Sequence, residues 1–263
     1  MNIFFIGTTE FGLACFEKIK EMGYHICGCA YTSENIIVKR NPEGIKNATY
    51  IDFKEVAERN SIHGLCFEKS NQESFINGIV QLNPDLIVVA GWHYMLSSNV
   101  LSIPTLGTIG LHASLLPRYR GGSPLVWQMI NGENEAGITL FYLEERGGVD
   151  TGHVIGQEPF FIEYDDTIRE LIKKSQIGAI GLLEKYLPMI KNGTAPKSKQ
   201  NETLATHYKQ RIPSDGEINW GDSPENIRNF IRAQTKPYPG AFTFIDNKKV
   251  IIWDAEITEI CKE

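Results

Sequence analysis

Short apolar runs broken by turn residues dominate the first half of the chain. Residues 2–6 form one such run, ending at Gly7. Thr9 then stands where a helix cap belongs, ahead of apolar positions that continue through Phe16 and Ile19 to about Met22. Residues 25–31 read as a second strand, and Asp52 and Ser70 each precede a helix-patterned stretch (52–60 and 70–82). Residues 84–91 are almost wholly apolar, the signature of a strand buried on both faces of a parallel sheet. Strands are expected again at 107–112 and 138–143, separated by a helix that Ser123 caps and Pro124 opens. This alternation predicts an α/β fold, a doubly wound Rossmann-like sheet with mostly parallel strands.

A long helix follows, expected to be capped by Asp165 and Asp166 and to close at Asn192 and Gly193. The pattern divides the chain into a first domain at 1–193, a polar linker at 194–203 and a small C-terminal subdomain at 204–263. That subdomain is read as a helix at 224–233 and a β-hairpin, with Asp246-Asn247 as its turn.

Composition excludes several function classes. Hydrophobic residues make up 42% of the 263, enough to fold a core. The longest apolar runs fall far short of the roughly 20 residues that span a bilayer. The N-terminal run lacks a basic stretch before it and reads as a strand, not a signal peptide. The net charge of −6 argues against a nucleic-acid partner. Five scattered cysteines read as free thiols of a reducing cytoplasm.

In open α/β sheets, ligands bind at the carboxyl ends of the strands, and four places there carry polar residues. Residues 7–12 form a glycine-containing strand-to-helix turn, but not a GxGxxG fingerprint. Gly91, Trp92, His93, Tyr94, Met95 and Leu96 follow the most buried strand and could wall a planar heterocycle. His112 opens an irregular loop with Ser114, Arg118, Arg120 and Gly121, where arginines suit an anionic substrate. Asp150 stands in a glycine-rich stretch, 147–152. His112 and Asp150 together could manage the protons of a nucleophilic amine. No GxSxG, HExxH or His/Cys cluster points to a serine nucleophile or a metal.

The run from His112 through Ser114-Leu115-Leu116-Pro117 to Arg120-Gly121, with Val149-Asp150-Thr151-Gly152 downstream, resembles the signature of the 10-formyltetrahydrofolate-dependent formyltransferases. The resemblance implies 10-formyltetrahydrofolate as co-substrate, His112 and Asp150 as catalytic residues, and residues 91–96 as the segment holding the pterin ring. It implies Ser114, Arg118, Arg120 and Gly121 on the substrate side. Where the family has Asn-x-His, this chain has Gly110-Leu111-His112. Losing such an oxyanion donor costs about 10²–10³ in rate. His153 stands where the family pattern has an acidic residue. The tail from Tyr208 through Phe242 resembles that of the sugar-nucleotide N-formyltransferases. Its acidic balance and single hairpin favour a nucleotide-linked amino sugar over the initiator tRNA of methionyl-tRNA formyltransferase. The alternatives are a shortened tRNA enzyme and a non-catalytic folate- or sugar-nucleotide-binding relative. The hairpin's edge suggests a homodimer.

Overall fold

The computed structural model describes residues 1–38, 40–70, 72–144 and 148–259. In chain order the elements are β1 (Asn2–Ile6), α1 (Glu10–Glu21), β2 (His25–Tyr31), β3 (Asn35–Val38), β4 (Asn41–Lys46), α2 (Phe53–Asn60) and β5 (His63–Cys66). They continue as α3 (Gln72–Leu82), β6 (Leu86–Val89), α4 (Ser98–Leu101), β7 (Thr108–His112), β8 (Arg120–Gly121), α5 (Pro124–Ile130) and β9 (Glu135–Tyr142). The last are β10 (Val154–Phe161), α6 (Ile168–Lys191), β11 (His207–Tyr208), α7 (Pro224–Arg232), β12 (Ala241–Ile245) and β13 (Lys248–Ile252).

Seven strands form one sheet in the order β10-β9-β7-β6-β1-β2-β5. The run from β7 to β5 is parallel, and β9 enters antiparallel to β7. The expected α/β class with a mostly parallel sheet is what the chain adopts. Strand order reverses between β1 and β6, so the carboxyl ends of those strands flank the crevice. Ile3, Phe5, Leu86 and Val88 bury one face against α1, α2 and α6, while Phe4, Ile6, Ile87 and Val89 bury the other around Phe75 and Ile79. Apolar residues on both faces are why these strands read as continuous runs.

Thr9 and Asp52 cap α1 and α2 as their positions predict, each side-chain oxygen accepting a backbone N–H. Two other caps differ from expectation. Thr167, not Asp165 or Asp166, caps α6, and Glu170 reaches back to the Thr167 N–H to complete a capping box. Asp166 instead accepts from Glu163 N–H and pairs with Lys174 at 2.6 Å. Ser123 is left-handed (φ 54°) and makes no cap bond. Its hydroxyl accepts from the Arg211 N–H and the Gln210 side chain, tying the tail to the start of α5.

Candidate active site

β7 ends at His112, and the chain then turns back on itself instead of entering a helix. Hydrogen bonds to the neighbouring strands hold this loop. Thr139 of β9 donates to Ser114 O at 2.6 Å and accepts from Leu116 N–H. Gln157 of β10 donates to Leu116 O at 2.9 Å. The loop brings the Tyr119 carbonyl back to 2.8 Å from His112 Nε2. Asp150, left-handed at φ 57°, brings its carboxylate to 3.5 Å from His112 Nδ1. The same carboxylate oxygen accepts the Gly121 N–H at 2.9 Å. The structure therefore brings Asp150, distant in sequence, against both His112 and Gly121.

Both ring nitrogens of His112 face acceptors. A neutral imidazole carries one proton and can satisfy one of them at a time. A ring that takes a proton from an amine can donate to both. The geometry suits proton acceptance from a nucleophile, with Asp150 balancing the charge that forms.

The remaining predicted residues divide. The Arg120 side chain is 1% exposed and bonded to Gln200 and Glu202, an arrangement that braces the loop. Ser114 is fully buried, its hydroxyl spent on Arg118 O at 2.7 Å. It too lies inside the loop and not on its surface. Arg118 is half exposed and paired with Glu133 at 2.7 Å. In the 91–96 loop, Trp92 and Tyr94 pack on Phe67 with ring centroids 5.2 and 5.3 Å apart, and Leu96 joins the same cluster. The aromatics thus shape the loop from behind, leaving its backbone, His93 and Met95 at the surface. The His93 ring is open to solvent at the loop surface but backed by protein, whose desolvation lowers its pKa. The Trp92 indole N–H is buried without a partner, so a donor is free beside this loop. Thr9 accepts from Gly12 N–H, and a Cβ on Gly7 would lie 2.4 Å from Ala90 O. The 7–12 turn is therefore a close-packed strand-to-helix junction.

Gln200 was not among the sequence candidates. It lies in the 194–203 stretch that composition marks as a linker. Its amide donates to the carbonyls of Asp150 and Gly152, both at 2.8 Å, while its oxygen accepts from Arg120. Ser198, in the same stretch, pairs with Val154 through two backbone bonds. Gly110 packs against Leu143: a Cβ there would lie 2.7 Å from Leu143 Cδ1. His153, in place of an acidic residue, pairs with Glu144 at 2.8 Å. Gly147 and Cys261 lie outside the described residues. Among those described, no group of three His, Cys, Asp or Glu is placed to hold a metal ion, and no helix is long and apolar enough to cross a membrane.

Comparison with known proteins matches residues 1–180 to the formyl transferase family and 211–263 to the formyl transferase C-terminal domain. Methionyl-tRNA formyltransferase of Caldanaerobacter subterraneus is 35% identical over 98% of this chain and 82% of its own length. The bifunctional polymyxin resistance protein ArnA of Wigglesworthia glossinidia is 35% identical over 92% of this chain, which spans only 38% of that relative. In fold, the chain resembles the Helicobacter canadensis N-formyltransferase crystallised with folinic acid and dTDP-3-aminofucose. That likeness has a TM-score of 0.73 at 20% identity, over 95% of this chain and 86% of the other.

Proposed function

Because this chain belongs to the formyl transferase family, we propose that it moves the formyl group of 10-formyltetrahydrofolate to the amine of a nucleotide-linked amino sugar. The observation that carries this reading is the His112–Asp150 pair at the carboxyl end of β7. The amine nitrogen attacks the formyl carbon and gives a tetrahedral intermediate whose oxygen carries the charge. The bond from that carbon to N10 of the folate then breaks. The amine gives up one proton and N10 gains one. His112 takes the first proton and returns one to the leaving nitrogen, while Asp150 stabilises the charged ring.

The 91–96 loop, shaped by the rings packed behind it, offers its backbone groups to a pterin. Arg118, half exposed, is the arginine of this loop with a guanidinium near solvent. Two observations favour the amino sugar: the fold's likeness to an enzyme crystallised with a folate and an amino-sugar nucleotide, and the net charge of −6. The second reading, formylation of initiator tRNA, is supported by 35% identity to a methionyl-tRNA formyltransferase. Free thiols at Cys15, Cys27, Cys29 and Cys66 support a reducing, cytoplasmic setting.

The test follows tetrahydrofolate release from 10-formyltetrahydrofolate beside a panel of amino-sugar nucleotides and charged initiator tRNA. Release that requires one amino sugar and disappears in His112→Ala supports the first reading. Turnover with tRNA alone moves the assignment to the second. Folate binding without turnover on any acceptor makes the chain a binding relative.

A further inference from the structure

Tyr119 directly precedes β8 in a conformation that its side chain disfavours. Its φ is 59°, in the left-handed region that residues other than glycine seldom enter. Such a residue stays there only where its surroundings hold it, and here both its main chain and its side chain are held. The Tyr119 N–H donates to the Thr206 hydroxyl at 2.8 Å. The ring is buried and stacks on Tyr208, with centroids 4.7 Å apart and planes within 10° of parallel. Its hydroxyl donates to Glu133 at 2.6 Å and accepts from Asn131 at 3.1 Å. Asn131 also donates to the Tyr208 hydroxyl at 2.8 Å, so one amide spans both stacked rings. Tyr208 lies in β11, which pairs with β8, and Thr206 comes just before it. At the site, these contacts place one oxygen. Tyr119 O lies 2.8 Å from His112 Nε2, within hydrogen-bond range, while Asp150 lies 3.5 Å from Nδ1, beyond it. The proton of a neutral imidazole sits on the nitrogen whose hydrogen bond is made.

We propose that Tyr119 is a positioning residue: its carbonyl fixes the His112 proton on Nε2 and leaves Nδ1, on the Asp150 side, as the base. The source of the proton that Nδ1 takes follows the formyl-transfer reading; the tautomer does not depend on it. The N–H bond of the attacking amine breaks and its proton bonds to Nδ1. The ring becomes an imidazolium whose Nε2–H stays on Tyr119 O while Nδ1–H faces Asp150. That Nδ1 proton passes to N10 as the bond from the formyl carbon to N10 breaks, and the ring returns to its neutral form. A swing of Tyr119 into right-handed backbone turns its carbonyl away from Nε2. The ring is then free to carry its proton on Nδ1, facing Asp150, with no lone pair there for the amine proton. Thr206 and Tyr208 of the tail therefore act on the chemistry through Tyr119.

Nitrogen NMR of the full chain with isotope-labelled histidines reads the tautomer with no folate or acceptor present. His112 is assigned by the signal lost in His112→Gln. The expected signature, at a pH where the ring is neutral, is a proton on Nε2 and a lone pair on Nδ1. Tyr119→Ala loses the stack and the hydroxyl bonds. It is expected to move the proton towards Nδ1 and to lower kcat about 10²-fold with KM near its starting value. Tyr119→Phe keeps the stack and is expected to recover most of that loss. Should Tyr119→Ala not fold, Thr206→Val removes the hydroxyl that accepts the Tyr119 N–H and is expected to move the tautomer the same way. Wild-type His112 protonated on Nδ1 overturns the proposal. So does a folded Tyr119→Ala or Thr206→Val chain whose tautomer is unchanged, even if its kcat falls, because the residue then acts on the fold alone. The tautomer is read without an acceptor, so a panel in which no amine is formylated rejects the formyl-transfer reading and leaves this test intact.

Discussion

The two walls of the site are built by different means. The His112–Asp150 wall is held by directional bonds: Thr139 and Gln157 pin the loop after β7, while Gln200 joins Arg120 to the carbonyls of Asp150 and Gly152. The 91–96 wall is held from behind by ring packing of Phe67, Trp92 and Tyr94. The difference suits the tasks proposed for the two walls. Proton transfer needs a nitrogen and an oxygen at a set distance and angle, which apolar contact does not enforce. Binding a flat ring needs a surface of fixed shape, which packed aromatics supply.

The comparison breaks most visibly at the reacting pair. His112→Ala is expected to lower kcat about 10³–10⁴-fold, with Asp150→Asn close behind and thermal unfolding little changed. A loss below tenfold in both would remove the pair from the chemistry. Next comes the brace. Gln200→Ala frees two backbone carbonyls beside Asp150, and a misplacement of this kind costs about 10²-fold in kcat. KM should stay near its starting value. Gln200→Glu, which keeps an acceptor for Arg120 but weakens donation to the carbonyls of Asp150 and Gly152, tests which half of the brace matters.

Gly110 sharpens the comparison from inside the first wall. Asparagine there must push Leu143 aside, an overpacking that costs about 1–3 kcal/mol. Gly110→Asn alone is expected to lower stability, and adding Leu143→Ala to recover it. If an amide at 110 then assists the oxyanion, kcat of the double variant rises. Equal melting temperatures for the single and double variants would show that Leu143 moves freely. On the other wall, Phe67→Leu removes three ring contacts, two of them to the 91–96 loop, and is expected to raise KM for the folate several-fold while leaving kcat alone. A fall in kcat with KM unchanged would contradict the division of labour between the walls.

The centre of the fold was legible in the sequence because it is buried on both faces. Strands β1, β2, β6 and β7 read as apolar runs for that reason. The edges were not. β10 carries Gly156 and Pro159, which suit a strand paired only on one side, and β5 has four residues with Gly64 among them. At the site, His112 and Asp150 stood out as chemistry at strand ends. Gln200 gave no signal, because a polar residue in a polar stretch has the same composition whether it solvates a linker or donates two hydrogen bonds. Arg120 gave a different signal: a charge suggests a surface, and here the guanidinium is buried, held by Gln200 and by the exposed Glu202.

The smallest effect concerns a charged tie reaching across from the β3–β4 hairpin, which packs against the 91–96 wall through the bond from Ile37 N–H to the Tyr94 hydroxyl. Arg40 leaves that hairpin and grips Asp215 of the tail through two bonds of 2.6 and 2.8 Å. The Arg40 guanidinium, aided by the Ile212 N–H and Lys209, holds the Asp215 carboxyl well below the usual carboxylate range. A depressed folded pKa means that the unfolded chain takes up the proton first as pH falls. The stabilisation is therefore complete above the unfolded value near 4 and is lost as pH drops towards the folded one. Asp215→Asn is expected to cost about 2 kcal/mol at neutral pH, the scale of a charged hydrogen bond. Chemical denaturation of both chains between pH 7 and pH 3 checks the sign. The gap should close on the acid side, because the wild type loses what the variant never had. A gap that stays constant across that range would mean that Asp215 acts by its shape and hydrogen bonds alone, and that the hairpin, like the wall it packs on, is held without charge.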